Sequence, residues 1–195
     1  MKKIILFLLL ILCVNLDASN WYEDWELQAR VAAYCPSSHL MRKIYTHCGA
    51  EYQLELSKCC WGPIYTWSNI GWFSKRGHSL GVKNETRINI MPLSWGLKYM
   101  CWLDDNASAY IGLGAVYTIL RIKDDTEFVR RHTNREAWGG VIKSGIRYAF
   151  TPCVFADFFV DYMYQNFHFK ETDSSRSDNI NVGGFKVGIG LGTRF

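Results

Sequence analysis

Charged residues recur at positions that strand geometry sends to one side of a sheet. The acids are Glu26, Glu51, Glu55, Asp157 and Asp161, and the bases are Arg30, Arg87, Lys98, Lys143, Arg147, Lys186 and Arg194. Their signs nearly balance, so the chemistry they offer is mutual ion pairing and hydrogen bonding. The formal charge of +4 is spread along 195 residues, with no Lys/Arg stripe of the kind nucleic acid requires. Cys35 and Cys48 could form a disulfide, since they flank one polar stretch, although spacing alone leaves the pairing open. Cys59 and Cys60 are adjacent, which is not the spacing of a zinc site, and Cys101 and Cys153 stand far apart in the sequence. His39, His47, His78, His132 and His168 show no HExxH-type or i, i+4 spacing, so no metal ligands are assigned. The pieces Gly112-Leu-Gly114 and Gly188-Ile-Gly190-Leu-Gly192 open no helix and are not nucleotide loops. No nucleophile, base and orienter stand out, so the chain is not read as an enzyme, and no catalytic or cofactor-binding residue is assigned.

The elements that must position these charges are strands. From Trp25 to Ala33 one face carries Trp25, Leu27, Ala29, Val31 and Ala33, and the other Glu26, Gln28, Arg30 and Ala32; a helix would mix these sets. The next run opposes Tyr52, Leu54 and Leu56 to Glu51, Gln53, Glu55 and Ser57. Further strands are expected near 63–73, 86–99, 108–121, 137–150, 154–167 and 181–195. In the third, Ile64-Tyr65-Thr66-Trp67 alternates poorly. In the fourth, Pro92 interrupts the parity, which predicts a bulge or an edge-like irregularity.

Several of these strands reach ten residues, close to the roughly 9–11 that a tilted strand needs to cross a bilayer. Lys2 and Lys3 precede an apolar run from Ile4 to Val14, too short to span a membrane as a helix and suited to an export signal cleaved after Ala18. The expected organisation is residues 1–18 as a leader and 19–195 as one domain. That domain is all-β: an eight-stranded antiparallel up-and-down transmembrane barrel with apolar faces toward lipid and charges inward. Eight strands enclose an interior that side chains just fill, so the inward charges are expected to form a space-filling network. Gly112 and Gly188, on the inward face, are expected to tolerate polarity better than their lipid-facing neighbours Leu113 and Ile189 if space allows. Trp25, Trp95, Tyr99, Trp138, Tyr148, Phe150 and Tyr164 suit the two interfacial girdles.

Connections alternate in length. The stretches 35–50, 74–85, 122–136 and 168–180 are expected as long polar loops outside, and 58–62, 100–107 and 151–153 as short periplasmic turns. The cysteines and histidines then fall in connections. Arg42, Lys43, Lys75, Arg76, Lys83, Arg130, Arg131 and Arg135 sit in the outside set, where they could meet lipid phosphates or polyanions. A secreted lipocalin-like barrel fails on parity, because such barrels line their interior with apolar groups.

The segment Phe185-Lys-Val-Gly-Ile-Gly-Leu-Gly-Thr-Arg-Phe195 resembles the closing strand of bacterial outer-membrane proteins. Phe185, Val187, Ile189, Leu191 and Phe195 stand where those proteins carry the signal read by the barrel-assembly machinery. Through strand number and loop alternation the likeness extends to small eight-stranded barrels of the OmpA/OmpX/OmpW kind. It implies an outer-membrane location, contact with lipid and with that machinery, no cofactor, and a structural or adhesin-like role through the loops. A narrow solute channel is the alternative. Some similar barrels are lipid-modifying enzymes, which is the minor alternative. Fold alone does not decide among these.

Overall fold

The computed structural model of the chain describes residues 25–39, 42, 48–78, 85–125, 130–170 and 177–195. Side chains are described for these residues except at 78, 85–87, 122–125, 130–133, 167–170 and 177–180. The leader and His47 lie outside the described residues. The strands are β1 (Trp25–Pro36), β2 (Gly49–Trp61), β3 (Ile64–His78), β4 (Glu85–Trp102), β5 (Ala107–Asp125), β6 (Arg130–Ala149), β7 (Val154–Lys170), β8 (Ser177–Asn181) and β9 (Gly184–Arg194).

Neighbouring strands pair antiparallel in chain order. Both β8 and β9 pair with β7, and in one register, from Asn166↔Asn181 through Met163↔Gly184, so they are a single eighth strand interrupted at Val182–Gly183. β9 then pairs with β1 from Glu26↔Arg194 to Pro36↔Gly184, and the barrel closes. Closure leaves no sheet edge in hydrocarbon, where each unpaired backbone group costs several kcal/mol.

The interruption of parity expected at Pro92 does not occur. β4 and β5 stay in register from Thr86↔Asp124 to Trp102↔Ser108, and Ile88, Ile90, Pro92, Ser94, Lys98 and Met100 all face inward. Of the two expected forms of irregularity, no bulge is present and a local, edge-like lapse of pairing is. Only the pairing with β3 lapses, between Ile70↔Leu93 and Phe73↔Ile90, with the same register on both sides. The proline merely omits a donor there. The register shift that does occur lies between Cys59 and Trp61, beside the β2–β3 turn, where Gly62 adopts φ +53°. Alternation is poor in β3 because Tyr65 and Trp67, both large aromatics, point into the bore.

The long loops are a correction. Most of 74–85, 122–136 and 168–180 is strand: β3 runs to His78, β4 begins at Glu85, β5 and β6 leave only 126–129 between them, and β7 runs to Lys170. One end of the barrel carries short turns and the other carries tall hairpins, called here the turn end and the loop end. Water imposes no apolar face on a ladder, so these extensions lack the alternation that marks the lipid-facing part.

Candidate functional site

Outward side chains define a belt. Leu27, Val31, Leu54, Ile70, Leu97, Ile111, Leu113, Ile142, Ile146, Phe158, Val160, Val187, Ile189 and Leu191 are exposed apolar residues on the wall. Trp61, Tyr99, Tyr148, Phe150 and Phe195 ring it at the turn end, and Tyr52, Trp72, Trp138, Tyr164 and Phe185 at the loop end. Edge-on ring pairs such as Trp95–Trp138, with centroids 5.6 Å apart, tie the second ring together. From Phe185 to Phe195, ten steps of ~3.3 Å at a tilt of ~40° give a height of ~25 Å, the height of a lipid-facing band.

Within the belt the bore is ionic. The buried carboxylates are Glu26, Glu51, Glu55, Asp157 and Asp161, and the buried cations Arg30, Lys98, Lys143, Arg147 and Lys186. Toward the turn end, Arg147 Nη1 donates to both oxygens of Glu26 at 2.8 Å, and Arg194 Nη2 donates to Glu26 Oε1 at 3.0 Å. At the centre Glu55 accepts from Arg30 Nη1 at 2.9 Å, from Lys98 Nζ at 3.2 Å and from Lys143 Nζ. Asp157 accepts from Gln28 Nε2 at 2.7 Å and Tyr110 OH at 2.9 Å, and Asp161 from Arg30 Nη1 at 3.2 Å. Toward the loop end Lys186 Nζ donates to Glu51 Oε1 at 2.7 Å.

Aromatic faces complete the cations' surroundings: the Arg30 guanidinium lies 3.4 Å from the Phe159 centroid, and Arg147 lies 4.1 Å from that of Phe155. β2 and β6 stand on opposite walls of an eight-stranded barrel, so the contact of Glu55 with Lys143 closes the bore across its diameter. Glu26 and Glu55 are each held by cations from more than one strand, the condition under which buried ion pairs offset their own desolvation. Two carboxylate oxygens, Asp157 Oδ1 and Asp161 Oδ1, are buried with no partner among the described residues.

The structure places Glu26, Arg30, Glu51, Glu55, Lys98, Lys143, Arg147, Asp157, Asp161, Lys186 and Arg194 in the bore. Arg87 lies outside the described side chains, and the unbroken β4 register puts its position out of phase with Lys98. The space on which the expectation for Gly188 depended is missing: a Cβ there would sit 2.1 Å from Val31 O and 2.7 Å from the Phe159 ring, so the site has no room for a side chain. A Cβ at Gly112 would meet Leu97 O and Lys98 Cβ at 3.0 Å, which is also tight.

Sequence reasoning missed the layers above and below the ions. At the loop end, Tyr34, Phe73, Ile88, Ile90, Val116, Leu120, Met163 and Val182 form a buried apolar cluster drawn from most of the circumference. Its signal was present, because Ile88 and Ile90 continue the inward parity of Lys98. A smaller cluster of Tyr65, Met100 and Tyr110 lies toward the turn end.

Cys35 and Cys48 are disulfide-bonded, joining the ends of the first loop-end connection. Cys59, Cys60, Cys101 and Cys153 at the turn end are not disulfide-bonded. His39 is exposed in the first loop-end connection, whereas His78, His132 and His168 occupy strand positions without described side chains. Among the described residues no group of three or more His, Cys, Asp or Glu could hold a metal ion. Above Gly139↔Gln165 the β6–β7 ladder stops while both strands run on, and an open cleft there is lined by Asn134, Glu136, Trp138 and Asn166. Phe185, Val187, Ile189, Leu191 and Phe195 all lie exposed on the outer face.

No protein-family model matches the sequence, and no curated protein matches it. Solved structures do match in fold. Outer membrane protein OprG from Pseudomonas aeruginosa superposes with a TM-score of 0.65 at 14% identity, over 89% of this chain and 96% of that one. Neisserial surface protein A gives 0.60 at 17%, over 88% and 97%. Ail, the attachment invasion locus protein of Yersinia pestis, solved in complex with the heparin analogue sucrose octasulfate, gives 0.52 at 13%, over 88% and 99%. With its closed antiparallel wall, lipid-facing belt and ion-filled bore, this chain has the fold of the small eight-stranded outer-membrane β-barrels.

Proposed function

We propose that the protein is an exported, integral outer-membrane barrel whose work is done at its outer surface, as a structural or adhesin-like element, and not by conduction or catalysis. The observation that carries this reading is the closure of the bore by Glu55 and Lys143, reinforced by the apolar cluster at the loop end. The loop end would face outward and the turn end the periplasm, as short turns do in such barrels. Phe185, Val187, Ile189, Leu191 and Phe195 would serve as the assembly signal before meeting lipid. The tall hairpins and the connection stapled by Cys35–Cys48 offer the contact surface, with Arg42, Arg76, Arg121 and Arg135 exposed on or near them. A sulfated polysaccharide fits that basic surface, and the complex of Ail with a heparin analogue supports the choice of probe.

Cells displaying the protein should retain heparin, and Arg76→Glu with Arg121→Glu should lower retention several-fold at unchanged surface level. Equal retention by cells lacking the protein would sink the surface reading. A second reading, passage of protons or small solutes, is favoured by the unpartnered oxygens Asp157 Oδ1 and Asp161 Oδ1. Planar-bilayer recording separates the two: the closed bore predicts no stable openings, and openings altered by Lys143→Ala or Asp161→Asn would establish conduction.

A further inference from the structure

The cleft between β6 and β7 gathers polar groups around one aromatic face, and neither the bore nor the basic surface accounts for it. Below it the wall is sealed: β6 and β7 pair from Ala149↔Phe155 to Gly139↔Gln165, and Gln165 Nε2 donates across the end of that ladder to Ala137 O at 2.6 Å. Above it, among the described residues, β6 pairs only with β5, up to Asp125↔Arg130, and β7 only with β8, up to Lys170↔Ser177. Two main-chain edges therefore face one another across a cleft of about 480 Å³, within the size range of small-ligand sites. Outward positions on a strand recur every ~6.7 Å, which sets Asn134, Glu136 and Trp138 in a column. Continuing the register of the ladder below puts Asn166 across the gap from Trp138.

These groups are held in place by their neighbours. Trp138 stands edge-on to Trp95, with centroids 5.6 Å apart, and tilted against Tyr117 at 5.2 Å, yet it stays 62% exposed and lines the cleft. Tyr117 OH donates to Glu136 Oε2, and Asn166 Nδ2 donates to Tyr164 OH at 2.9 Å, so aromatic hydroxyls fix the carboxylate and the amide as well. Glu136 Oε1 and Asn166 Oδ1 keep their acceptor capacity, and Asn134 adds an amide. A girdle tryptophan that merely anchors the wall needs neither a parted ladder nor polar groups fixed beside it. A pyranose suits this arrangement: its C–H face is apolar and carries slightly positive hydrogens that an aromatic face attracts, while its rim of hydroxyls donates and accepts. Glu136 and Arg135 cancel in charge, which favours an uncharged sugar over a sulfated one.

We propose that the cleft binds an uncharged glycan, with one pyranose ring stacked on Trp138, its hydroxyls held by Glu136 and Asn166, and the next sugar of the chain reaching Asn134. This goes beyond the sulfated-polysaccharide surface and rests on the same outward placement of the loop end. Trp138 belongs to the loop-end girdle, so the sugar arrives either from solution or as the headgroup of an outer-leaflet glycolipid.

The test uses the purified full chain in phosphatidylcholine nanodiscs, which keeps it independent of where the protein resides in a cell. One arm applies it to an array of uncharged glucose, galactose, mannose and N-acetylglucosamine oligosaccharides. The other adds monogalactosyl diacylglycerol to the nanodisc and reads hydrogen exchange of the β6 amides from Asn134 to Trp138. Retention on the array is expected of a soluble glycan and slowed exchange of a lipid headgroup, and either one supports the site. The signal should fall roughly tenfold in Trp138→Ala, fall several-fold in Asn166→Ala, and survive in Trp138→Phe. It should be indifferent to added salt and to Arg76→Glu with Arg121→Glu, which separates it from heparin retention. Heat-modifiable mobility would confirm that each variant is folded. No signal in either arm, an undiminished signal in folded Trp138→Ala, or a signal abolished by salt would each overturn the proposal. Membrane fractionation of cells tests the placement separately.

Discussion

Between its two girdles the barrel is apolar outside and ionic inside; beyond the loop-end girdle the arrangement reverses. There the bore holds Phe73, Ile88, Ile90, Val116 and Leu120, while the outer wall presents Ser74, Arg76, Asn89, Arg121, Asn134 and Glu136. The same strands, with the same pleat, serve both regions. What changes is the medium: lipid demands apolar groups where it touches the wall, and water lets the core take them back. The molecule is an inverted barrel continued by an ordinary one.

The largest expected effect breaks the inverted region from within. Glu55→Ala removes the acceptor shared by Arg30, Lys98 and Lys143, and leaving buried cations uncompensated should cost about 3–5 kcal/mol, read as a lowered urea midpoint in lipid vesicles. Next comes the wall: Ile189→Arg or Leu113→Arg, both exposed to lipid, should cost roughly 2–4 kcal/mol in the same assay. At the inward neighbour, Gly188→Leu should cost about 1–3 kcal/mol through overpacking against Val31 and Phe159, with no dependence on the polarity of the added side chain. The smallest effect sharpens the contrast. Ile119→Arg on the outer wall above the girdle should change stability by less than ~0.5 kcal/mol, because that surface already faces water. A cost there as large as at Ile189 would mean that lipid reaches the hairpins and that the reversal is misplaced.

The inverted region was legible in the sequence because the bilayer writes a period of two into it. Glu26, Gln28 and Arg30 against Leu27, Ala29 and Val31 can be read without coordinates, as can Lys186 and Arg194 against Phe185 and Ile189. The continuation was not legible. Residues such as Asn134 and Glu136 are strand residues by virtue of their ladder with β5, and a hydrated ladder needs no apolar face to exist. Pro92 was legible in part: an irregularity stands beside it, but as a local lapse of pairing with the register continuing, so the expected break in parity does not follow. The room at Gly188 depended on how close Phe159 comes from β7, a distance set by three-dimensional packing alone. Which carboxylate meets which cation was likewise beyond sequence, since Glu55 and Lys143 lie 88 residues apart.

The pairing of β1 with β9 has a temporal consequence. Lys186 and Arg194 belong to the last strand to be synthesised, and their partners Glu51 and Glu26 belong to the first two. Until the final strand docks, those carboxylates lack these counter-ions at the same moment that the sheet lacks its last ladder. A half-built cylinder is thus penalised twice, once by open main-chain edges and once by uncompensated charge, and the two debts are cancelled in one step.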